Sequence, residues 1–278
     1  MPGRRKTDVL PDVEIVSAGN EVLLGHVLDT NSNYLCRRVT ALGGRITRTV
    51  MICDDVEIIA AELRAALRRR PALVFTVGGL GPTSDDLTLA GVALAVGRPL
   101  EVHPGAERMV REKYAEFAAL GFVPFAEMNE PRLKMATLPR GAEPVVNPVG
   151  GAPGVVCRKG RTAIVSLPGV PEELMGIVNQ SLDDLFAEVF GTAHYDERAL
   201  IVDLQDESAI AAVLAEVDQA SPAVYIKSRA QRMGPDVRIR ITLSARGQDG
   251  GEVSSLILTP LETLERRLTA AGFGVERE

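Results

Sequence analysis

The sequence predicts an α/β protein with a mostly parallel sheet, followed by a smaller α+β domain. Three observations support this fold class. Up to Phe190, short apolar runs typical of strands alternate with segments of helical periodicity, as in a parallel sheet joined by helices. Two of these runs end in glycine and lead into polar residues and a helix. After Gly191 the pattern changes to βαββαβ, the order of a ferredoxin-like domain.

The strands of the larger domain are predicted from apolar runs bounded by turn residues. Residues 13–18 form the first run and residues 72–77 the next one that precedes a glycine-rich turn. Residues 155–167 are predicted as a hairpin that turns at Lys159-Gly160. The stretch 122–153 has five prolines before Pro153 and no strong periodicity, so it is predicted to be a lid or a packed irregular excursion.

The helices of the larger domain are predicted from apolar residues at helical spacing and from their capping residues. Asp54 or Asp55 caps the second helix, and Pro104 occupies a tolerated first helical position. The predicted helices cover residues 31–42, 55–70, 87–96, 104–120 and 171–190.

The chain is therefore divided into a flexible tail (residues 1–12), an α/β domain (13–190) and a small α+β domain (195–278). The small domain has no catalytic constellation, and a dimerisation or scaffolding role is expected for it. Its predicted strands are 198–204, 224–229, 237–245 and 273–276, and its predicted helices are 207–220 and 252–271.

Composition excludes several classes of protein. The formal net charge of −6 disfavours a general nucleic-acid binder, which would present a basic face. No apolar run approaches the ~18 residues that a membrane span requires, and the charged N-terminus is not followed by the apolar core of a signal peptide. A cytoplasmic location is therefore expected. The three cysteines, widely spaced, are expected to be reduced.

The most informative segment is the turn that follows the run 72–77. Gly78, Gly79 and Gly81 lie within four residues, and Asp85 and Asp86 come before the next helix. Glycines allow backbone N–H groups to approach a ligand closely, and the start of a helix favours anions. Because two carboxylates would repel a bare phosphate, this arrangement suggests a divalent cation that bridges them.

Two common phosphate-binding motifs are absent from this turn. Ser84 occupies the place of the third glycine of the dinucleotide fingerprint, and no segment matches the P-loop pattern. An ordinary tight turn with a helix-capping acidic pair therefore remains an alternative.

A second loop of the same kind follows the first strand. It runs from Gly19 through Glu21 to Asp29 and Asn31. Since the carboxyl ends of parallel strands share one edge of a sheet, the two loops are expected to converge on one crevice.

These motifs resemble the molybdopterin-binding fold of the Mog, MoaB and MoeA proteins. The N-terminal domain of the CinA (competence/damage-inducible) proteins is more similar still, since Leu80 stands where Mog-like and MoeA-like proteins usually have Thr. Asn20 departs from the Thr or Asp usual in relatives. The matching segments are 19–25 with 29–31, 78–88, and 151–154 with 167–171.

The resemblance implies a three-layer αβα sandwich and one of two functions. CinA-like proteins are assigned metal-dependent pyrophosphatase activity on ADP-ribose and similar nucleotide diphosphates, whereas Mog-like proteins bind molybdopterin in molybdenum cofactor synthesis. Relatives assemble as dimers or trimers, so a homodimer or homotrimer is expected. The chain ends at Glu278, and the C-terminal nicotinamide mononucleotide deamidase domain of many CinA proteins is not expected.

The site hypothesis assigns each residue a role. Asp85, Asp86 and Glu21 are the catalytic candidates, and Asp85, Asp86 and Asp55 are the candidate ligands of Mg²⁺, Mn²⁺ or Co²⁺. The candidate substrate-binding residues are Gly19, Asn20, Asp29, Asn31, Gly78, Gly79, Leu80, Gly81, Thr83, Ser84, Pro168 and Gly169. The expected ligand is a nucleotide diphosphate or a pterin. A non-catalytic interaction protein is a third possibility.

Overall fold

The computed structural model describes residues 10–191, 194–204, 206–230, 238–247 and 249–278. The chain forms two compact units, the larger extending to Gly191 and the smaller comprising residues 41–43 and the residues beyond Gly191. Residues 1–9 of the predicted tail and residue 237 of a predicted strand lie outside the described residues. The tail was predicted to extend too far, because Asp12 is the first residue of a strand.

The strands of the larger unit are β1 (Asp12–Ala18), β2 (Arg45–Ile52), β3 (Leu73–Val77), β4 (Leu100–Val102), β5 (Thr137–Pro139), β6 (Glu143–Val145), β7 (Gly154–Lys159) and β8 (Thr162–Leu167). Its helices are α1 (Asn20–Leu23), α2 (Thr30–Ala41), α3 (Val56–Arg69), α4 (Thr88–Val96), α5 (Pro104–Ala119), α6 (Glu130–Met135), α7 (Pro171–Gln180) and α8 (Asp183–Phe190).

The main sheet of the larger unit has the order β2-β1-β3-β8-β7-β6. Strands β2, β1, β3 and β8 are parallel to one another, and β7 joins β8 as the predicted antiparallel hairpin. The predicted α/β class with a mostly parallel sheet is therefore confirmed. Strands β4 and β5 form a separate antiparallel pair.

Every residue of β3 and β8 is buried, so both faces of the central sheet are covered. Val74 and Ile164 belong to a core cluster that also contains Ile59 of α3 and Val110 of α5. Since side chains alternate along a strand, Phe75 lies on the opposite face. This arrangement leaves the ends of the strands, rather than their faces, as the place where a ligand can bind.

Two segments differ from the predictions. The predicted helix 171–190 is interrupted at Ser181, and Asp183 and Asp184 begin a new helix, where acidic residues favour the helix start. The stretch 122–153 contains α6, β5 and β6 rather than a structureless loop. Asn129 caps α6 by accepting a hydrogen bond from Arg132 N at 3.0 Å.

The smaller unit contains β9 (His194–Asp203), a 3-10 helix (Glu207–Ile210), α9 (Ala211–Ala220), β10 (Tyr225–Ala230), β11 (Arg238–Gly247), α10 (Gly250–Ala270) and β12 (Gly274–Arg277). Its antiparallel sheet has the order β10-β11-β9-β12, which is the ferredoxin-like order that the sequence predicts. No helix in the described parts of the chain is long and apolar enough to cross a membrane.

A buried carboxylate in β1 is paired with an arginine at the end of α3. Glu14 is 3% exposed, and Arg69 donates to both of its oxygens, at 2.7 and 2.6 Å. Arg69 also contacts Glu62 at 3.1 Å. Arg69 therefore compensates the charge that is buried in β1.

Arg69→Ala is expected to lower the free energy of unfolding by about 2–3 kcal/mol, because Glu14 would remain buried without its partner. Arg68→Ala is the matched control, since Arg68 is exposed and its loss should change stability by less than about 0.5 kcal/mol. Urea unfolding of both variants measures the difference. Equal unfolding midpoints would contradict a stabilising role for the Glu14–Arg69 pair.

Candidate functional site

The candidate site lies at the carboxyl ends of four parallel strands. In the last rungs of the sheet Ala18 is paired with Ile52, Ser17 with Val77, and Val77 with Leu167. The turns that follow β1, β2, β3 and β8 therefore leave the sheet side by side. This is the edge at which open α/β sheets bind ligands.

A cavity of about 470 Å³ opens at this edge. The structure brings together the two loops that the sequence singles out, together with the turn after β8. The predicted residues that line the cavity are Gly19, Glu21, residues 78–81, Asp85, Asp86, Pro168 and Gly169.

The acidic wall of the cavity is formed by Glu21, Asp54, Asp85 and Asp86. The prediction that Asp55 belongs to this group is wrong. Asp55 is the N-cap of α3, where its Oδ1 accepts hydrogen bonds from the backbone of Glu57 and Ile58 at 2.9 and 3.0 Å. Asp54 contributes the carboxylate at this position instead.

Asp54 is held against the loop that follows β1. Its Oδ2 accepts a hydrogen bond from Asn20 N at 2.9 Å. Partial burial raises the pKa of Asp54, and the negative charges of Glu21, Asp85 and Asp86 raise the pKa further. The four carboxylates thus repel one another, and a bound cation would relieve that repulsion.

Thr83 orders the second part of the acidic wall. Its Oγ1 lies 2.5 Å from Asp85 Oδ1 and 2.6 Å from Asp86 Oδ2, and its backbone N donates to Asp86 Oδ2 at 2.8 Å. The hydrogen bond from Thr83 lowers the pKa of Asp85. Thr83 therefore shapes the loop. Contrary to the prediction, neither Thr83 nor the exposed Ser84 lines the cavity.

The predicted metal ligands do not form a complete metal site. No three His, Cys, Asp or Glu side chains among the described residues are grouped closely enough to hold a metal ion. Asp55 caps a helix, and one oxygen each of Asp85 and Asp86 lies within hydrogen-bond distance of the Thr83 hydroxyl. The carboxylates of the acidic wall nevertheless supply the hard oxygen ligands that Mg²⁺ and Mn²⁺ prefer.

The glycines of the turn after β3 meet a steric requirement. Gly78 has φ 92° and Gly79 has φ 64°. A Cβ on Gly78 would lie 2.3 Å from Ala18 O, and a Cβ on Gly79 would lie 2.4 Å from Thr88 Oγ1. Only glycine fits both positions without strain.

This turn has free hydrogen-bond donors, though one fewer than expected. Gly78 N donates to Leu167 O at 3.0 Å. The backbone N–H of Gly78 is therefore not free to bind a phosphate, contrary to the prediction. Within the described residues, the backbone N–H groups of Gly79, Leu80 and Gly81 have no protein acceptor. Thr88 fixes the turn by donating to Gly78 O at 2.8 Å.

Three polar residues predicted to bind substrate have structural partners and do not line the cavity. Asp29 accepts hydrogen bonds from the backbone and hydroxyl of Ser32 at the start of α2, at 2.8 and 2.6 Å. Asn31 is buried and donates to Gly169 O at 2.8 Å. The side chain of Asn20 is exposed, and its backbone holds Asp54. Asn31 supports the site indirectly, by fixing the turn after β8.

Sequence reasoning missed several residues that line the cavity. Tyr114, Met135 and Glu173 are among them. Burial raises the pKa of Glu173, whereas a hydrogen bond from Asn147 lowers it. Glu173 follows the recognised segment 167–171 by two residues, so extending that motif into α7 would have found it.

Comparison with known proteins places this geometry in a family. A family model described as a probable molybdopterin binding domain matches residues 14–187. A protein of Aeropyrum pernix is 41% identical over 271 residues, which cover 96% of this chain and 97% of the relative. A protein of Thermoplasma acidophilum is 32% identical over 243 residues, covering 86% of this chain and 89% of the relative.

A solved structure agrees with these relationships. The crystal structure of a CinA protein of unknown function from Thermoplasma acidophilum superposes with a TM-score of 0.57 at 32% identity. The superposition covers 63% of this chain and 98% of that one. The chain belongs to the family of probable molybdopterin-binding domains, and within it to the CinA-like proteins.

Proposed function

We propose that this chain is a metal-dependent nucleotide pyrophosphatase that hydrolyses the diphosphate bond of ADP-ribose-type substrates. The observation that carries the proposal is the pairing, in one cavity, of four carboxylates with a turn that has free backbone donors. Carboxylates bind cations, whereas unpaired backbone N–H groups bind anions. A complex of a metal ion with a diphosphate satisfies both kinds of group together.

The donor set fits a cation that enters with its substrate. Mg²⁺ commonly takes only one or two protein carboxylates and completes its shell with water and substrate phosphates. Asp86 and Asp54, with Glu21 and Asp85 beside them, are the residues that would hold it. When bound, such a cation neutralises phosphoryl oxygens and lowers the pKa of an attacking water.

The chain's own groups would position the reaction. Backbone N–H groups of Gly79, Leu80 and Gly81 would hold the diphosphate oxygens in place of water. A carboxylate of the acidic wall would accept a proton from the attacking water as the water oxygen forms a bond to one of the two phosphorus atoms. The bridging P–O bond then breaks, and one water converts ADP-ribose into AMP and ribose 5-phosphate.

The proposal is tested by measuring AMP released from ADP-ribose with Mg²⁺, Mn²⁺, Co²⁺ or EDTA. Release with a metal and none in EDTA is the expected result. Absence of turnover with every metal would overturn the enzymatic proposal. Light scattering in the same buffer would test the expected homodimer or homotrimer.

Molybdopterin binding is a second candidate, favoured by the family model that matches residues 14–187. The same turns would hold the terminal phosphate of the pterin. A fluorescent pterin that co-purifies with the protein, or that binds without hydrolysis, would support this function. If neither nucleotides nor pterins raise the melting temperature, a non-catalytic interaction role would be favoured.

A further inference from the structure

A carboxylate that lines the cavity is held by a buried asparagine. Glu173 is the third residue of α7 and lines the cavity. Asn147, which is 6% exposed, donates from Nδ2 to Glu173 Oε2 at 2.7 Å. The usual partner of an acid at this helical position is the backbone of the N-cap residue. Glu173 is directed to Asn147 instead.

The hydrogen-bonding capacity of Asn147 is fully used. Its second Nδ2 hydrogen is donated to Ala152 O at 2.8 Å, and its Oδ1 accepts from Val149 N and Gly150 N at 3.0 and 2.8 Å. An amide side chain offers two donor hydrogens and two acceptor lone pairs, so none remains for a ligand. Asn147 is therefore a positioning residue that orders the loop 147–152 and fixes Glu173.

Glu173 keeps one oxygen available. Among the described residues no donor is found for its Oε1, and a carboxylate accepts several hydrogen bonds. The backbone of Gly150 packs directly against the carboxylate, since a Cβ on Gly150 would lie 1.9 Å from Glu173 Oε2. Any side chain at residue 150 would displace this carboxylate from its position.

Glu173 lines the same cavity as the glycine-rich turn after β3, whose backbone N–H groups are proposed to hold the diphosphate. A carboxylate repels phosphate oxygens, whereas it accepts hydrogen bonds from hydroxyl groups. In a nucleotide a single methylene group joins the ribose to its phosphate.

We propose that Glu173 binds the nucleoside ribose of the substrate by accepting hydrogen bonds from its 2′- and 3′-hydroxyl groups. This inference rests on the proposed nucleotide function and names the part of the substrate that the cavity recognises. The acidic wall then serves the diphosphate, while Glu173 selects for the sugar.

Calorimetric titration of the full chain with ADP and with 2′,3′-dideoxy-ADP, both with Mg²⁺, tests the assignment. The unaltered chain is expected to bind ADP about tenfold or more tightly than the dideoxy analogue. Glu173→Gln should reduce that ratio at least fivefold and leave the Kd of the dideoxy analogue unchanged. Gly150→Ala should do the same, because the flexible end of Glu173 moves aside.

Glu172→Gln is the matched control, since it removes the same charge from an exposed neighbour in the same helical turn and should keep the ratio. An unchanged ratio in Glu173→Gln, equal weakening of both ligands, or no discrimination by the unaltered chain would each overturn the assignment. Discrimination without any hydrolysis of ADP-ribose would overturn the proposed activity and leave the ribose assignment standing. Hydrolysis of ADP-ribose together with an unchanged affinity ratio in Glu173→Gln would support the proposed activity and overturn the ribose assignment.

Discussion

Asp86→Asn is expected to lower kcat/KM for ADP-ribose hydrolysis by about 100-fold or more. Metal-ion stabilisation of phosphoryl charge is worth several kcal/mol, and each 1.36 kcal/mol corresponds to about a tenfold change in rate. Asp86 lines the cavity, and its Oδ2 is fixed by the backbone and hydroxyl of Thr83. An amide oxygen can accept the same hydrogen bonds, whereas it is a weaker ligand for a divalent cation.

The folded state should tolerate this change. The amide side chain that replaces the carboxylate keeps an acceptor for Thr83, so the free energy of unfolding is expected to change by less than about 1 kcal/mol. Asp183→Asn removes the same charge from the exposed start of α8 and should keep full activity. Initial rates at varied Mg²⁺ and urea unfolding of both variants separate the two effects. Wild-type turnover in Asp86→Asn would remove Asp86 from the metal site.

The sequence predicts the sheet and its ligand-binding edge because both depend on local patterns. Apolar runs define β1, β3 and β8, and glycines mark the turns at their ends. Parallel pairing then brings those turns together without any detail of side-chain packing. The ferredoxin-like order of the smaller unit is predictable for the same reason.

The details of the site depend on contacts between distant residues, which local patterns do not contain. The bond between Asn147 and Glu173 spans 26 positions, and the bond between Asn31 and Gly169 spans 138. Nothing near Asn31 in the sequence indicates that its amide will be used by a distant turn. Polar residues in a glycine-rich loop are therefore easily mistaken for ligand-binding groups when they hold the loop together.

The pair Asp54-Asp55 illustrates the limit most directly. Either acid can cap α3 by sequence, and a difference of one residue decides which carboxylate enters the cavity. In the structure Asp55 takes the cap, with extended backbone at φ −141°. Asp54 is left to accept from Asn20 and to face the other three acids.

Asp54→Ala is therefore expected to affect turnover, and Asp55→Ala is expected to affect stability. Asp54→Ala should lower metal-dependent turnover about 10- to 100-fold, the range found when a group that supports a metal is lost. Its folding should be little affected, because its partner Asn20 is exposed and water can replace the carboxylate. Asp55→Ala should keep turnover and lower the free energy of unfolding by about 1 kcal/mol through loss of the helix cap. Steady-state kinetics and urea unfolding of both variants measure the change in turnover and the change in stability.

The pH dependence of stability provides an independent check on Asp54. Its pKa in the folded chain lies above the ordinary value of 3.8, so the folded state holds this proton more tightly than the unfolded state. The stability that results is present below 3.8 and is lost as pH rises through the raised pKa. In EDTA, Asp54→Ala should remove that loss, and Asp55→Ala should retain it. If both variants follow the pH profile of the unaltered chain, Asp54 does not have the raised pKa that burial and the neighbouring acids give it.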